Sequence, residues 1–267
     1  MTMGKEGSPQ THVSYLKRSV EGLVLPSSNQ LVTAARKKLE SHFARDFEVP
    51  VPPQDLFETL RNFAERGIKG LDEVYYQPSL QLTEDHELWE GEGIVKPEPY
   101  FWEQIKDGNF PEEAAMLEEG WYIGDGSGKP MYANGQQRYG ENDYMGRLMA
   151  YLRGYDRIQK YSGIPDDSRF GASSQQIEKI ILPEFALGSD AKGNVRIRTY
   201  MEFVFRGNIA HPEYGLTNTL EWHGDPAFQG ASRLVGGGGL ANVNCRSVFN
   251  RDDRTGFSIV LAFPSKP

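Results

Sequence analysis

Three segments follow one another in the last fifty or so residues: Tyr214-Gly-Leu-Thr-Asn-Thr-Leu-Glu-Trp-His-Gly-Asp225, Arg233-Leu-Val-Gly-Gly-Gly-Gly239, and Cys245-Arg-Ser-Val-Phe-Asn-Arg-Asp-Asp-Arg-Thr-Gly-Phe-Ser-Ile-Val-Leu261. Small, polar and charged residues are concentrated between strand-like stretches, the last of which is Phe257-Ser-Ile-Val-Leu-Ala-Phe263. Short alternating segments separated by glycine-rich turns predict strands.

Working outward, the upstream sequence changes to a helical period. Ser28 or Asn29 can cap a helix whose Leu31, Ala34, Ala35, Leu39 and Phe43 share one face. Val49-Pro-Val-Pro-Pro53 ends it, because proline lacks the amide donor and restricts the residue before it. A second helix is expected from Gln54 to about Glu65, with Leu56, Phe57, Leu60 and Phe63 inward and Gly67 as its stop. Residues 71–135 mix aromatics, acids and prolines, and read as short strands, turns and one helix near Pro111 to Glu119. Their aromatics are better read as core than as a carbohydrate platform, since they converge with no polar groups. Further helices are expected over Asp143 to Tyr161, over Ser173 to Leu182 with Pro183 as terminator, and over Thr199 to Arg206. Val195-Arg-Ile-Arg198 alternates like a strand. Helices first and short strands later predict an α+β fold.

Composition narrows the function. A net charge of −8, with no stripe of lysine and arginine, argues against a nucleic-acid partner. No apolar run reaches the roughly 18 residues that span a bilayer, and Met1 to Gln10 has no signal-peptide pattern. Membrane insertion is therefore not expected, and location is open between a virion and a cell surface. Cys245 is the sole cysteine, which excludes an internal disulfide or a thiolate cluster. His12, His42, His86, His211 and His223 show no metal-ligand spacing, so neither a metal nor another cofactor is expected. Residues 1–12 are too polar to order themselves.

Each chemical candidate in the tail has a plainer alternative. Gly236 to Gly239 lack the Lys-Ser/Thr and helix start of a phosphate loop, and are read as giving sharp turns or close strand approach. Cys245 beside Arg246 could be an activated thiol, but no histidine follows position 223, and a structural cysteine fits better. Glu221, His223 and Asp225 join carboxylate and imidazole around Trp222, which is assigned to the core. Asp166-Asp167 and Asp252-Asp253 lie in no calcium-loop pattern and read as loop charges.

The tail also resembles a family. Tyr214 to Asp225 looks like the "GNVWEWxxD" element of formylglycine-generating-enzyme-like domains, and Arg233 to Leu240 like their "RVxRGGSW" turn. Cys245-Arg-Ser-Val-Phe-Asn-Arg251 with Gly256-Phe257 resembles their "CRSAxRxxxxxxxxGFR" terminus, and Arg196 to Phe203 their "RLPTxAEW" segment. This superfamily has a C-type lectin fold and includes both enzymes and the variable proteins of diversity-generating retroelements. The oxygen-dependent enzymes hold copper on two cysteines near the terminus, whereas this chain has one. The variable proteins diversify surface positions by mutating adenines, often in AAC codons, which can never yield Lys, Glu, Gln, Met or Trp. Residues Gly236 to Gly256 contain none of those types, and Leu240 replaces the usual tryptophan after the glycines.

The resemblance thus implies a C-type lectin fold over residues 115–267, carrying a variable region at about 236–256, with a helical segment 1–114 packed on it. It implies a non-enzymatic display protein that recognises a protein or cell-surface ligand. The contacts would be Leu240, Ala241, Asn242, Val243, Asn244, Ser247, Phe249, Asn250, Asp252 and Asp253, with Phe249 and Leu240 as exposed apolar anchors. A cysteine-dependent oxidase using Cys245 with His223, and a structural virion component, are the alternatives.

Overall fold

The computed structural model describes residues 25–140, 143–226, 232–237 and 239–264, so the fraying expected at residues 1–12 lies outside it. The first helix, α1 (Ser28–Phe43), is capped one residue earlier than expected: Ser27 and Gln30 exchange side-chain and backbone bonds in a capping box. Leu31, Ala35, Leu39 and Phe43 are its buried stripe. After the proline segment, α2 (Gln54–Arg66) buries Leu56, Leu60 and Phe63, leaves Phe57 half-buried, and stops at Gly67 in the left-handed conformation.

Strand β1 (Leu71–Gln77) is followed by β2 (Leu80–Gln81), α3 (Pro99–Lys106), β3 (Met116–Leu117) and β4 (Gly120–Asp125). Instead of the helix expected near Pro111 to Glu119, a 3-10 turn at Glu112–Ala115 leads into β3. Most aromatics of this region are core: Tyr75, Tyr76, Phe101, Trp102, Trp121 and Tyr122 are all buried. Trp121 Nε1 donates to the Pro50 carbonyl, 2.9 Å away, so the proline segment is tied to β4.

Helix α4 (Gly146–Gly154) is shorter than its apolar stripe predicts. It closes at Gly154, and Asp156 turns into left-handed backbone, leaving Tyr155 exposed. Pro183 likewise does not end a helix. From α5 (Ser174–Gln176) the chain widens into a π-helical turn at Ile177–Ile181 and continues as α6 (Leu182–Ser189). The wider turn relieves the lost amide and ring clash that would break a regular helix at proline. Strand β5 (Asn194–Ile197) precedes α7 (Tyr200–Ile209), whose cap Thr199 and Glu202 form a capping box.

The chain ends in β6 (Leu220–Trp222), β7 (Ser232–Gly237), β8 (Val243–Ser247), β9 (Thr255–Phe257) and β10 (Ile259–Pro264). Two four-stranded sheets result: an antiparallel one of order β1-β4-β10-β5 and a mixed one of order β8-β7-β6-β9, in which β6 and β9 run parallel. The fold is therefore α+β. Ser258 is where the chain passes from one sheet to the other. The boundary expected at residues 114 and 115 cuts through the first sheet, because β1 pairs with β4 from Leu71↔Asp125 to Gln77↔Gly120. Helix α1 shares one buried apolar cluster with α7 and both large sheets, through Leu39, Phe203, Trp222 and Leu261.

Candidate ligand-binding face

The face is built on β7 and β8, which pair antiparallel from Ser232↔Ser247 to Gly236↔Val243. The glycines of this turn serve close approach. A β-carbon on Gly236 would stand 2.5 Å from His223 Nε2, and one on Gly237 would stand 2.5 Å from the Thr219 carbonyl oxygen. Gly237 also has φ 130°, which side-chain-bearing residues rarely adopt.

Leaving this turn, the chain alternates between inward and outward residues. Leu240 is buried, 4% exposed, and not the surface anchor expected. Its side chain fills the hollow left by Gly207 on α7 and by Gly215, where added β-carbons would come within 2.5 and 3.3 Å of it. Val243 is buried as well, on the inward side of β8. Both leave the list of contact residues, since apolar side chains gain more from this core than from solvent. Asn242, Asn244, Phe249 and Asn250 are exposed, with Phe249 at 59%, while Ala241, Ser247, Asp252 and Asp253 are half-buried. Asp252 has an internal role: its carboxylate accepts from Arg246 Nη1 at 2.6 Å and from the Arg254 amide at 2.6 Å, closing the turn. Asp253 accepts from the Tyr132 hydroxyl at 3.1 Å.

Residues distant in sequence hold this face. The Glu98 amide donates to the Ala241 carbonyl at 3.2 Å, and Glu98 Oε1 accepts from the Val243 amide at 3.1 Å. The Tyr200 hydroxyl donates to the Ala241 carbonyl at 2.8 Å. On the other flank, Arg251 donates to the Gly171 carbonyl and to Gln159, and packs over the Tyr161 ring. The Val248 and Asp252 carbonyls accept from the Gln175 and Gly171 amides. Tyr100, on α3, is 38% exposed at the edge of the face. Burial, then the nearby Cys245 and Glu98, raise its hydroxyl pKa. Neither Glu98 nor Tyr100 is recognisable from sequence as part of this face, because the contact spans about 140 residues and carries no local motif.

Two strands away from β8, around β6, lies a buried polar layer. Glu221 accepts from the Tyr139 hydroxyl at 2.5 Å, Arg198 Nη2 at 2.7 Å and the Ser258 hydroxyl at 2.7 Å. Burial opposes its ionisation, but the Arg198 charge foremost, with Lys129 and the hydrogen bonds, holds its pKa at about 2. Arg198 also lies over the rings of Phe203 and Tyr214. Lys129 Nζ sits 4.9 Å above the Phe203 ring, and burial brings its pKa down to about 8. His223, enclosed by the Tyr200 and Phe203 rings, is depressed by burial to about 3, and Asp225 is raised by burial to about 7.

These groups do not form a nucleophile and base with Cys245. The His223 amide bonds to the Leu234 carbonyl on one edge of β7, while Cys245 pairs with Leu234 from the other edge. Two strand spacings separate them, roughly 10 Å. His223 is also fully buried. Trp222 lies in the core, its Nε1 donating to the Ala172 carbonyl at 3.1 Å. Among the described residues no group of three or more His, Cys, Asp or Glu is placed to hold a metal ion. Asp166 and Asp167 instead pair with Lys160 and Arg138. Among the described residues no helix is long and apolar enough to cross a membrane.

No protein-family model, curated protein or solved structure matches the chain.

Proposed function

We propose that this chain is a ligand-binding display protein of the retroelement variable-protein kind, built on a C-type lectin fold, and that it recognises a protein or cell-surface ligand through the face around β8. The observation that carries this reading is the division of labour along residues 240–254. Leu240, Val243, Arg246, Arg251 and Asp252 hold the segment in place, while Asn242, Asn244, Phe249 and Asn250 point outward. A segment held at these positions can change the outward residues between them without changing its path. Such a face also binds without first ordering a loop, which is the main cost that preorganisation removes. Phe249 supplies an apolar anchor, and the asparagines supply adaptable hydrogen bonding.

The family resemblance and the absence of Lys, Glu, Gln, Met and Trp from Gly236 to Gly256 support diversification of this segment. Sequencing the flanking DNA tests it. A near-copy of the codons for residues 236–256, differing only at adenines and lying beside a reverse transcriptase gene, is expected; the lack of both would overturn the retroelement reading. Binding is tested by selecting a displayed library randomised at positions 242, 244, 247, 249, 250 and 253 against unrelated folded proteins. Specific binders are expected from it, and none should emerge from a library randomised at 240, 243, 246 and 252.

A further inference from the structure

A cleft of about 550 Å3 opens between the end of α2, the start of α4 and the end of α6, apart from the residues of the β8 face. Its wall is aromatic: the rings of Tyr144 and Phe185 meet with centroids 5.7 Å apart at 57°, and Ile68 and Leu148 add aliphatic surface. The Tyr144 hydroxyl is already committed to Asp125 Oδ2 at 2.8 Å, so Tyr144 contributes its ring and not its hydroxyl.

The charges around the cleft are unbalanced. Each described carboxylate in its lining already has a cation: Asp143 holds the buried Arg169, Asp167 holds Arg138, and Glu184 holds Arg157. Three lining cations, Arg66, Lys69 and Arg147, have no carboxylate within ion-pair distance among the described residues. Arg66 Nη1 is anchored on the Gly188 carbonyl at 2.9 Å, which fixes one guanidinium at the mouth. On a chain of net charge −8, three cations around one cavity with no carboxylate partner among the described residues form a local exception.

We propose that this cleft is a second binding site, for a small organic anion with a flat aromatic or apolar body and a carboxylate, sulfonate or phosphate group. The volume lies within the roughly 300 to 1,000 Å3 of small-molecule pockets and is too small for a folded partner. The aromatic wall takes the body, and Arg66, Lys69 and Arg147 take the charge. The site is independent of the display reading, because it uses no residue of the β8 face.

The probe is 8-anilinonaphthalene-1-sulfonate, titrated into the full chain by fluorescence, with the uncharged N-phenyl-1-naphthylamine as comparison. Lys69 and Arg147 are exposed, so K69E and R147E should leave the fold intact, as circular dichroism and thermal melting will show. Expected is saturable binding of the sulfonate that weakens about tenfold in the double variant, as the loss of two surface ion pairs implies. Affinity for the neutral probe should stay unchanged. The milder K69Q and R147Q pair should give a smaller loss in the same direction. Equal affinity of the sulfonate for parent and double variant would overturn the proposal, as would equal affinity of the parent for the charged and neutral probes. F249S serves to separate the two sites: if it abolishes sulfonate binding, the probe sits on the β8 face and the cleft proposal fails.

Discussion

Leu240 occupies the volume that a β-carbon on Gly207 would need: such a carbon would stand 2.5 Å from Leu240 Cδ2. The contact joins the glycine turn after β7 to helix α7, and makes position 240 part of the core. Truncating L240A should cost about 2 to 5 kcal/mol of stability, and overfilling the same contact in G207A about 1 to 3 kcal/mol. Urea unfolding checks both. A change under 0.5 kcal/mol in L240A would show that Leu240 is not an anchor.

The outward residues should behave in the opposite way. N242S, N250S and F249S should each shift stability by no more than about 0.5 kcal/mol, since exposed positions away from caps and cores tolerate change. A combined triple variant that unfolds cooperatively at the parent midpoint would show that the frame does not depend on them. Loss of cooperativity would count against a fixed frame.

The buried pair of Glu221 and Arg198 should resist substitution. E221Q leaves the Arg198 guanidinium without its countercharge inside the protein, and a loss of about 3 to 5 kcal/mol is expected. A neutral outcome in denaturant unfolding would mean that the Tyr139 and Ser258 hydroxyls suffice for the layer.

His223 and Asp225 make opposed contributions to acid stability. With a folded pKa of about 3 against 6.5, His223 takes up a proton on unfolding once the pH falls below 6.5, so acid weakens the fold through it. With a folded pKa of about 7 against 3.8, Asp225 gives stability that is complete below 3.8 and lost as pH rises through 7. Between pH 5 and 6 the two nearly cancel. Relative to the parent, D225N should therefore lose about 1.4 kcal/mol more per pH unit on acidification, and H223Q about that much less. Parallel pH profiles for all three proteins would refute the assignment.

Cys245 is half-buried and separated from His223 by β7. C245S should keep the melting temperature within a few degrees and keep any ligand binding of the face. An activity found in the parent and lost in C245S with the fold intact would favour the oxidase alternative.

Much of the helical part is legible in the sequence because its signals are local. The stripe of Leu31, Ala35, Leu39 and Phe43, and the Thr199 and Glu202 box, need only residues within a few turns of one another. Where reading fails, the deciding contact is distant. Nothing near Leu71 to Gln77 says that this strand joins β4 and, through it, the C-terminal β10. Nothing near Leu240 shows the hollow at Gly207 that turns it inward. Pro183 reads as a stop because proline usually is one, and only the π-turn before it shows how the helix continues. The outward positions of the face are the easier half of the site to read, since asparagine and glycine favour turns wherever the core lies.

Strand β8 is the outer strand of its sheet, and such an edge ordinarily invites another chain to add a strand. Here the Val243 amide is taken by the Glu98 carboxylate and the Cys245 amide by the Asn244 side chain at 2.7 Å. The guard at Val243 comes from Glu98, outside the segment proposed to vary. A repertoire displayed on this edge would thus be shielded from cross-β aggregation by a residue that the display itself never rewrites.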